Sequence, residues 1–177
     1  FNKMGTNLQK VLWEDLHDYK ALGVNAVTLL KFHRYSWFAY KLAMVTFAKT
    51  AWRLDTDYLK LRESFCETYF QDNKDAMLEY YDLQERATQL LLEFCGYDEV
   101  HDIRNIIPLN PEFSQRHLDD LTQAEELYRQ MDQLLDQALE RQTQRTVRYL
   151  LNSEKIILSI TISAKCGPVR AAFTVHF

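Results

Sequence analysis

The chain has 177 residues, 47% of them apolar, and a formal net charge of −4. A chain of this length buries roughly 70% of its accessible surface on folding, so the composition fits one globular domain and excludes intrinsic disorder. Only four Gly and three Pro disfavour a turn-rich all-β fold, and no excess of Lys and Arg points to nucleic acid or to an anionic membrane.

The elements follow in chain order. Thr6 and Gln9 have capping-box spacing, and Leu8, Val11, Leu12, Leu16 and Tyr19 recur at helical spacing behind them. Gly23 ends that helix in the C′ role. Val24 to Lys31 then reads as a strand, and its continuous apolar run suits a strand covered on both faces. Ser36 caps a helix from Trp37 to about Ala51, apolar almost all round and so expected to be buried on several sides. Lys41 and Lys49 interrupt this most apolar segment, which is read as a core helix, because a membrane span needs about 20 predominantly apolar residues.

Asp55 or Thr56 caps a further helix to about Phe70, with Tyr58, Leu61, Phe65 and Tyr69 on one stripe. Gln71 to Lys74 is a turn. A long amphipathic helix carries Met77, Tyr80, Leu83, Ala87, Leu90, Leu91 and Phe94 inward and stops at Gly96. Pro111 suits the first turn of another helix, whose period runs from Leu118 through Leu127 and Met131 to Ala138. A last helix over Thr143 to Leu158 carries Val147, Leu150 and Leu151. The remainder, Ser159 to Phe177, shows no helical period.

A single strand cannot satisfy its own backbone groups. The order helix, glycine, apolar strand, loop, helix is one βα step of a parallel α/β fold. The expected fold class is therefore mainly α: a helical bundle-like domain with one βα step left from an α/β barrel. Residues 1–52 would hold that last step, 53–158 the helical domain, and 159–177 an irregular tail. The chain opens on Phe1 without a signal-peptide pattern, as a piece of a longer protein would.

In parallel α/β folds, ligands bind at the C-terminal ends of strands. His33, Arg34, Tyr35 and Trp37 sit there and are the substrate-rim candidates. Arg and His hydrogen-bond anionic or hydroxyl groups, and Tyr and Trp offer flat faces on which sugar rings could lie. The competing reading makes Tyr35 and Trp37 a staple for the next helix and leaves His33 and Arg34 solvated.

Other constellations point to structure. The cysteines Cys66, Cys95 and Cys166 lack CxxC spacing, which argues against disulfides and zinc. Glu14 and His17 form one Glu-x-x-His, where a di-iron bundle needs two copies and two more glutamates. No Walker loop, GxGxxG or GxSxG occurs. No metal or cofactor is expected.

The run YSWFAYKLAMVTFAKTAWRLDTDYLKLRESFCETYFQDNKDAMLEYYDLQE resembles the domain that follows the catalytic barrel in bacterial α-glucuronidase-like glycoside hydrolases. It is closer still to the C-terminal domain of related glycosidase-like proteins of unassigned activity. The matching residues are Phe47, Ala48, Lys49, Ala51 and Trp52, then Asp55 and Asp57. Tyr69, Phe70 and Gln71 follow, where the family has a YYG or YFG turn, and then Met77, Tyr80, Tyr81 and Glu85. LTQAEELYRQMDQLLDQA and RTVRYLLNSEKIILSI resemble the closing helices. The likeness covers about residues 18–160. Gln71 departs from the usual glycine, and the residues after Ile160 have no match.

The resemblance implies a C-terminal fragment of a carbohydrate-active protein, inactive alone, with an upstream barrel as partner and the catalytic carboxylates on that barrel. Glycoside hydrolysis needs two carboxyls facing one bond across about 5 to 10 Å. Asp55 and Asp57 precede a helix N-terminus, where acids cap and complement the dipole. The fragment by itself would expose its strand and self-associate. The alternative from another class is a self-standing helical protein-interaction module.

Overall fold

The computed structural model describes residues 9–28, 40–95 and 115–176, and side chains within 9–28, 40–90 and 119–162. The described chain is mainly helical: α1 (Gln9–Ala21), α2 (Lys41–Trp52), α3 (Tyr58–Phe70), a 3₁₀ turn (Gln71–Asn73), α4 (Lys74–Cys95), α5 (Gln115–Arg141) and α6 (Arg145–His176). No strand occurs among the described residues.

The centre of the fold is the packing of α4 on α5, with α6 returning along α5 and α3 laid on α4 and α6. Each helix offers a stripe at helical spacing. Met77, Tyr80, Tyr81, Gln84, Ala87 and Thr88 are buried on α4, and Leu121, Ala124, Tyr128, Met131, Leu135 and Ala138 on α5. Phe65, Cys66 and Phe70 of α3 and Val147, Leu151 and Leu158 of α6 close the same core. Tyr81 meets Phe65 of the preceding helix edge-on, with ring centroids 6.3 Å apart, and Tyr80 at 5.3 Å. That arrangement makes both tyrosines core residues.

Local signals explain the ends. Gly23 takes φ +81. Its N–H donates to the Lys20 carbonyl and the Val24 N–H to that of Tyr19, the paired bonds of a Schellman ending. The α5–α6 turn is held by Arg148, whose guanidinium donates to the carbonyls of Leu139 at 2.7 Å and Gln142 at 3.1 Å. Lys155 then bridges α6 to Asp132 (3.3 Å) and Asp136 of α5.

Three expectations meet a different structure. Val24 to Thr28 are exposed and without regular structure, not a covered strand, because no described segment pairs with them. Residues 29–31 lie outside the described residues. The helix expected from Trp37 is described from Lys41, with Tyr40 at its N-cap position, and Ser36 lies outside the described residues. Residues 159–176 are not an irregular tail but the continuation of α6. Thr161 is buried on this continuation, so a polar residue on the inward face interrupts the apolar period there.

Gln71 holds φ 51 and ψ −116 between α3 and the 3₁₀ turn. A side chain there is strained, by about 1–3 kcal/mol for such backbone. Gln71→Gly is therefore expected to stabilise the fold by about 1 kcal/mol, after the entropy of the unfolded glycine is subtracted. Chemical denaturation checks this, and a lower midpoint for the glycine variant would contradict it.

Candidate functional site

A groove of about 1130 Å³ opens between α1, the α2–α3 connection, α3 and α4. Its wall on α1 is Lys10 and Trp13. Its floor and far wall are Tyr58 and Arg62 of α3 with Asp82 and Glu85 of α4. The residues Leu54 to Asp57 form its rim.

Helical spacing places Tyr58, Arg62 and Phe65 on one face of α3, so an arginine occupies a position where the pattern calls for an apolar side chain. Arg62 is accommodated because it donates to Asp82 at 2.6 Å and to Glu85 at 3.5 Å, with its guanidinium 5.7 Å from the Tyr58 ring centroid. Burial opposes the charge on Arg62, but Asp82, Tyr58 and Glu85 outweigh it and hold the guanidinium above its usual value. Burial and the Glu85 charge push the Tyr58 hydroxyl up to about 12, with Arg62 opposing, so it stays protonated. Trp13 stands 6.4 Å from Tyr58, and its indole N–H donates to the Thr56 carbonyl at 2.7 Å. This bond fixes the edge of α1 to the connection.

The two acids ahead of α3 have structural partners. Asp57 is the N-cap of α3, its carboxylate accepting from the Lys60 N–H at 3.0 Å. Asp55 accepts from Arg53 at 3.0 and 3.2 Å, and that guanidinium holds its carboxyl below the usual range. Asp57→Ala is expected to cost about 1 kcal/mol as a lost cap. Asp55→Ala should leave the thermal midpoint unchanged, since it breaks only a solvent-exposed pair. Parallel melts of the two variants check the contrast, and equal losses would refute it.

Glu14 and His17 do not act as a pair. Glu14 lies 3.9 Å from Lys10, and both ring nitrogens of His17 face backbone carbonyls. Cys66 is fully buried, and burial pushes its thiol up to about 12, which leaves it without nucleophilic character. Among the described residues, no group of three or more His, Cys, Asp or Glu could hold a metal, and no helix is long and apolar enough to cross a membrane.

The rim candidates His33, Arg34, Tyr35 and Trp37 lie outside the described residues. Sequence reasoning misses the groove residues Trp13, Arg62 and Asp82. The one signal that could have found them is a charged residue on the apolar stripe of α3. Its carboxylate partners, on another helix, cannot be read from spacing. No family model, no curated protein and no solved structure matches this chain.

Proposed function

We propose that this chain is the C-terminal helical part of a carbohydrate-active, glycoside hydrolase-like protein. In this reading it buttresses an upstream barrel and does not catalyse by itself. The observation that carries the reading is the backbone of Gln71, which holds positive φ at the position where the resembled family has the glycine of its YFG turn. The sequence departs from the family there, while the local conformation is one that glycine favours.

The finer part of the proposal concerns the N-terminal step. Val24 is 39% exposed and Val27 41%. An apolar run left open in this way is what the last strand of a sheet presents when its neighbours are absent. Lys31 would end that strand, and His33, Arg34, Tyr35 and Trp37 would stand at the rim of a sugar pocket completed by the barrel.

The test joins this segment to its upstream barrel and replaces His33, Arg34 and Trp37 by alanine. A drop in sugar affinity of about tenfold or more is expected from losing charged hydrogen bonds and a stacking face. Unchanged affinity and activity would remove the rim proposal.

The groove beside Trp13 and Arg62 favours a second reading, a self-standing helical interaction module. Sedimentation of the isolated chain separates the two. Concentration-dependent association fits an unpaired strand edge, and a stable monomer fits the module.

A further inference from the structure

The groove beside Trp13 carries chemistry that neither an upstream barrel nor a protein partner calls on. Asp82 and Glu85 stand three residues apart on α4, so their carboxylates share one side of that helix. Each gives one oxygen to Arg62, Asp82 through Oδ1 at 2.6 Å and Glu85 through Oε2 at 3.5 Å. The Arg62 side chain is only 9% exposed, whereas that of Asp82 is 57% exposed and that of Glu85 35%. The guanidinium therefore works from behind and holds the two carboxylates in place. A carboxylate offers about four acceptor sites, so capacity remains on two side chains that line the groove.

The α1 wall is aromatic. The Trp13 ring is anchored twice, by its indole N–H on the Thr56 carbonyl at 2.7 Å and by the His17 ring at 4.3 Å between centroids. A ring held in this way loses little freedom when a ligand lies on it. Leu54 and Leu59 add apolar surface. The charges of the lining nearly cancel: Lys10, Arg62 and Arg86 stand against Asp57, Asp82 and Glu85, and Asp55 is matched by Arg53. An anion there meets Asp82 and Glu85, and a cation meets Lys10 and Arg86, so a charged ligand of either sign faces like charge.

We propose that this groove binds a short neutral glycan, with a pyranose ring against Trp13 and its hydroxyls donating to Asp82 and Glu85. A pyranose is apolar on its C–H faces and hydroxylated around its rim, which is the division of labour between the α1 wall and α4. At about 1130 Å³ the groove stands just above the usual range of small-ligand clefts, roughly 300–1,000 Å³, so it suits a short chain of rings better than a single one. Arg62 is a positioning residue in this site, because it reaches the ligand only through the carboxylates that it holds.

The test uses the intact chain, with maltotriose and cellotriose as the neutral probes. Calorimetry is expected to give a Kd of about 1 mM or tighter for at least one of them. In NMR the indole N–H signal of Trp13 should move on addition of that probe. The signal of Trp52, exposed at the end of α2 and outside the groove, should not. Trigalacturonate and the trimer of glucosamine should each bind about tenfold more weakly, the cost of one unfavourable charge contact. Asp82→Ala should weaken the neutral probe about tenfold, the worth of one hydrogen bond to a charged group, while Trp52→Ala should leave its affinity unchanged. The indole signals and the ranking of the probes need no variant, so they decide the matter even if Asp82→Ala does not fold. The site is overturned if neither neutral probe binds, if a charged trimer binds as tightly, if Trp52 alone responds, or if a folded Asp82→Ala chain keeps the full affinity. The upstream barrel takes no part in these measurements, so their outcome is separate from that of the rim test.

Discussion

Glu154→Ala is expected to cost about 3–5 kcal/mol, a large share of the stability of a domain this size. Glu154 on α6 lies 3.0 Å from Lys41 of α2, with the two side chains only 5% and 7% exposed. Tyr81 of α4 donates its hydroxyl to the same carboxylate at 3.3 Å. Three helices therefore converge on one charge that water cannot reach. Removing the carboxylate would leave the Lys41 ammonium buried without its counter-ion, and the desolvation cost would no longer be offset. Lys41→Met together with Glu154→Leu should recover most or all of the loss, because apolar side chains of similar volume need no hydrogen-bond partner. Thermal denaturation of the single and double variants checks the pair. A single variant within about 1 kcal/mol of the wild type would refute the buried-charge account.

The same residue sets a pH dependence. Burial pushes the Glu154 carboxyl above its usual value, and Lys41 with the hydroxyls of Tyr81 and Tyr80 offsets only part of that. The folded state thus holds this proton more tightly than the unfolded chain does. The contribution is fully present below the ordinary carboxyl range and is lost as the pH rises through the folded value. Glu154→Gln should flatten that segment of the stability profile, which acid-to-neutral melts would reveal.

Phe70→Ala is the second large effect, at about 3–5 kcal/mol. Phe70 is fully buried at the end of α3, with its ring 6.1 Å from that of Phe65, immediately before the strained Gln71. The backbone there is held by the turn and cannot collapse freely into the space left by the ring, so the cavity persists. The loss corresponds to roughly 6–20 °C in thermal midpoint for a chain of this length. Leu59→Ala is the control. Leu59 is exposed on the same helix, and its replacement should stay within about 0.5 kcal/mol. If the two variants melted together, the placement of Phe70 in the core would be wrong.

Much of the helical core is legible in the sequence. Met77, Tyr80, Leu83 and Ala87 of α4 and Leu121, Ala124, Leu127, Met131, Leu135 and Ala138 of α5 recur at helical spacing and are buried. Gly23 and the acids before α3 announce their ends, although the N-cap is Asp57 and not its neighbours Asp55 or Thr56. The groove is less legible. Arg62 stands out on an apolar stripe, but nothing local says that Asp82 and Glu85 will meet it. His17 suggests a metal-ligand spacing with Glu14, and its partners are instead backbone carbonyls, which no residue type can advertise.

What the sequence by itself determined is the mainly helical character, the inward stripes and the stops at Gly23 and before α3. These follow from periodicity and from capping chemistry that acts within a few residues. Tertiary structure alone decided the rest. It brought Lys41, Tyr81 and Glu154 into one buried contact, it turned the His17 ring between two carbonyls, and it left Val24 to Thr28 open. The reason is physical. Ion pairs, hydrogen bonds and strand pairing each need a partner from elsewhere in the chain. The identity of that partner depends on how the helices stack, not on the spacing within any one of them.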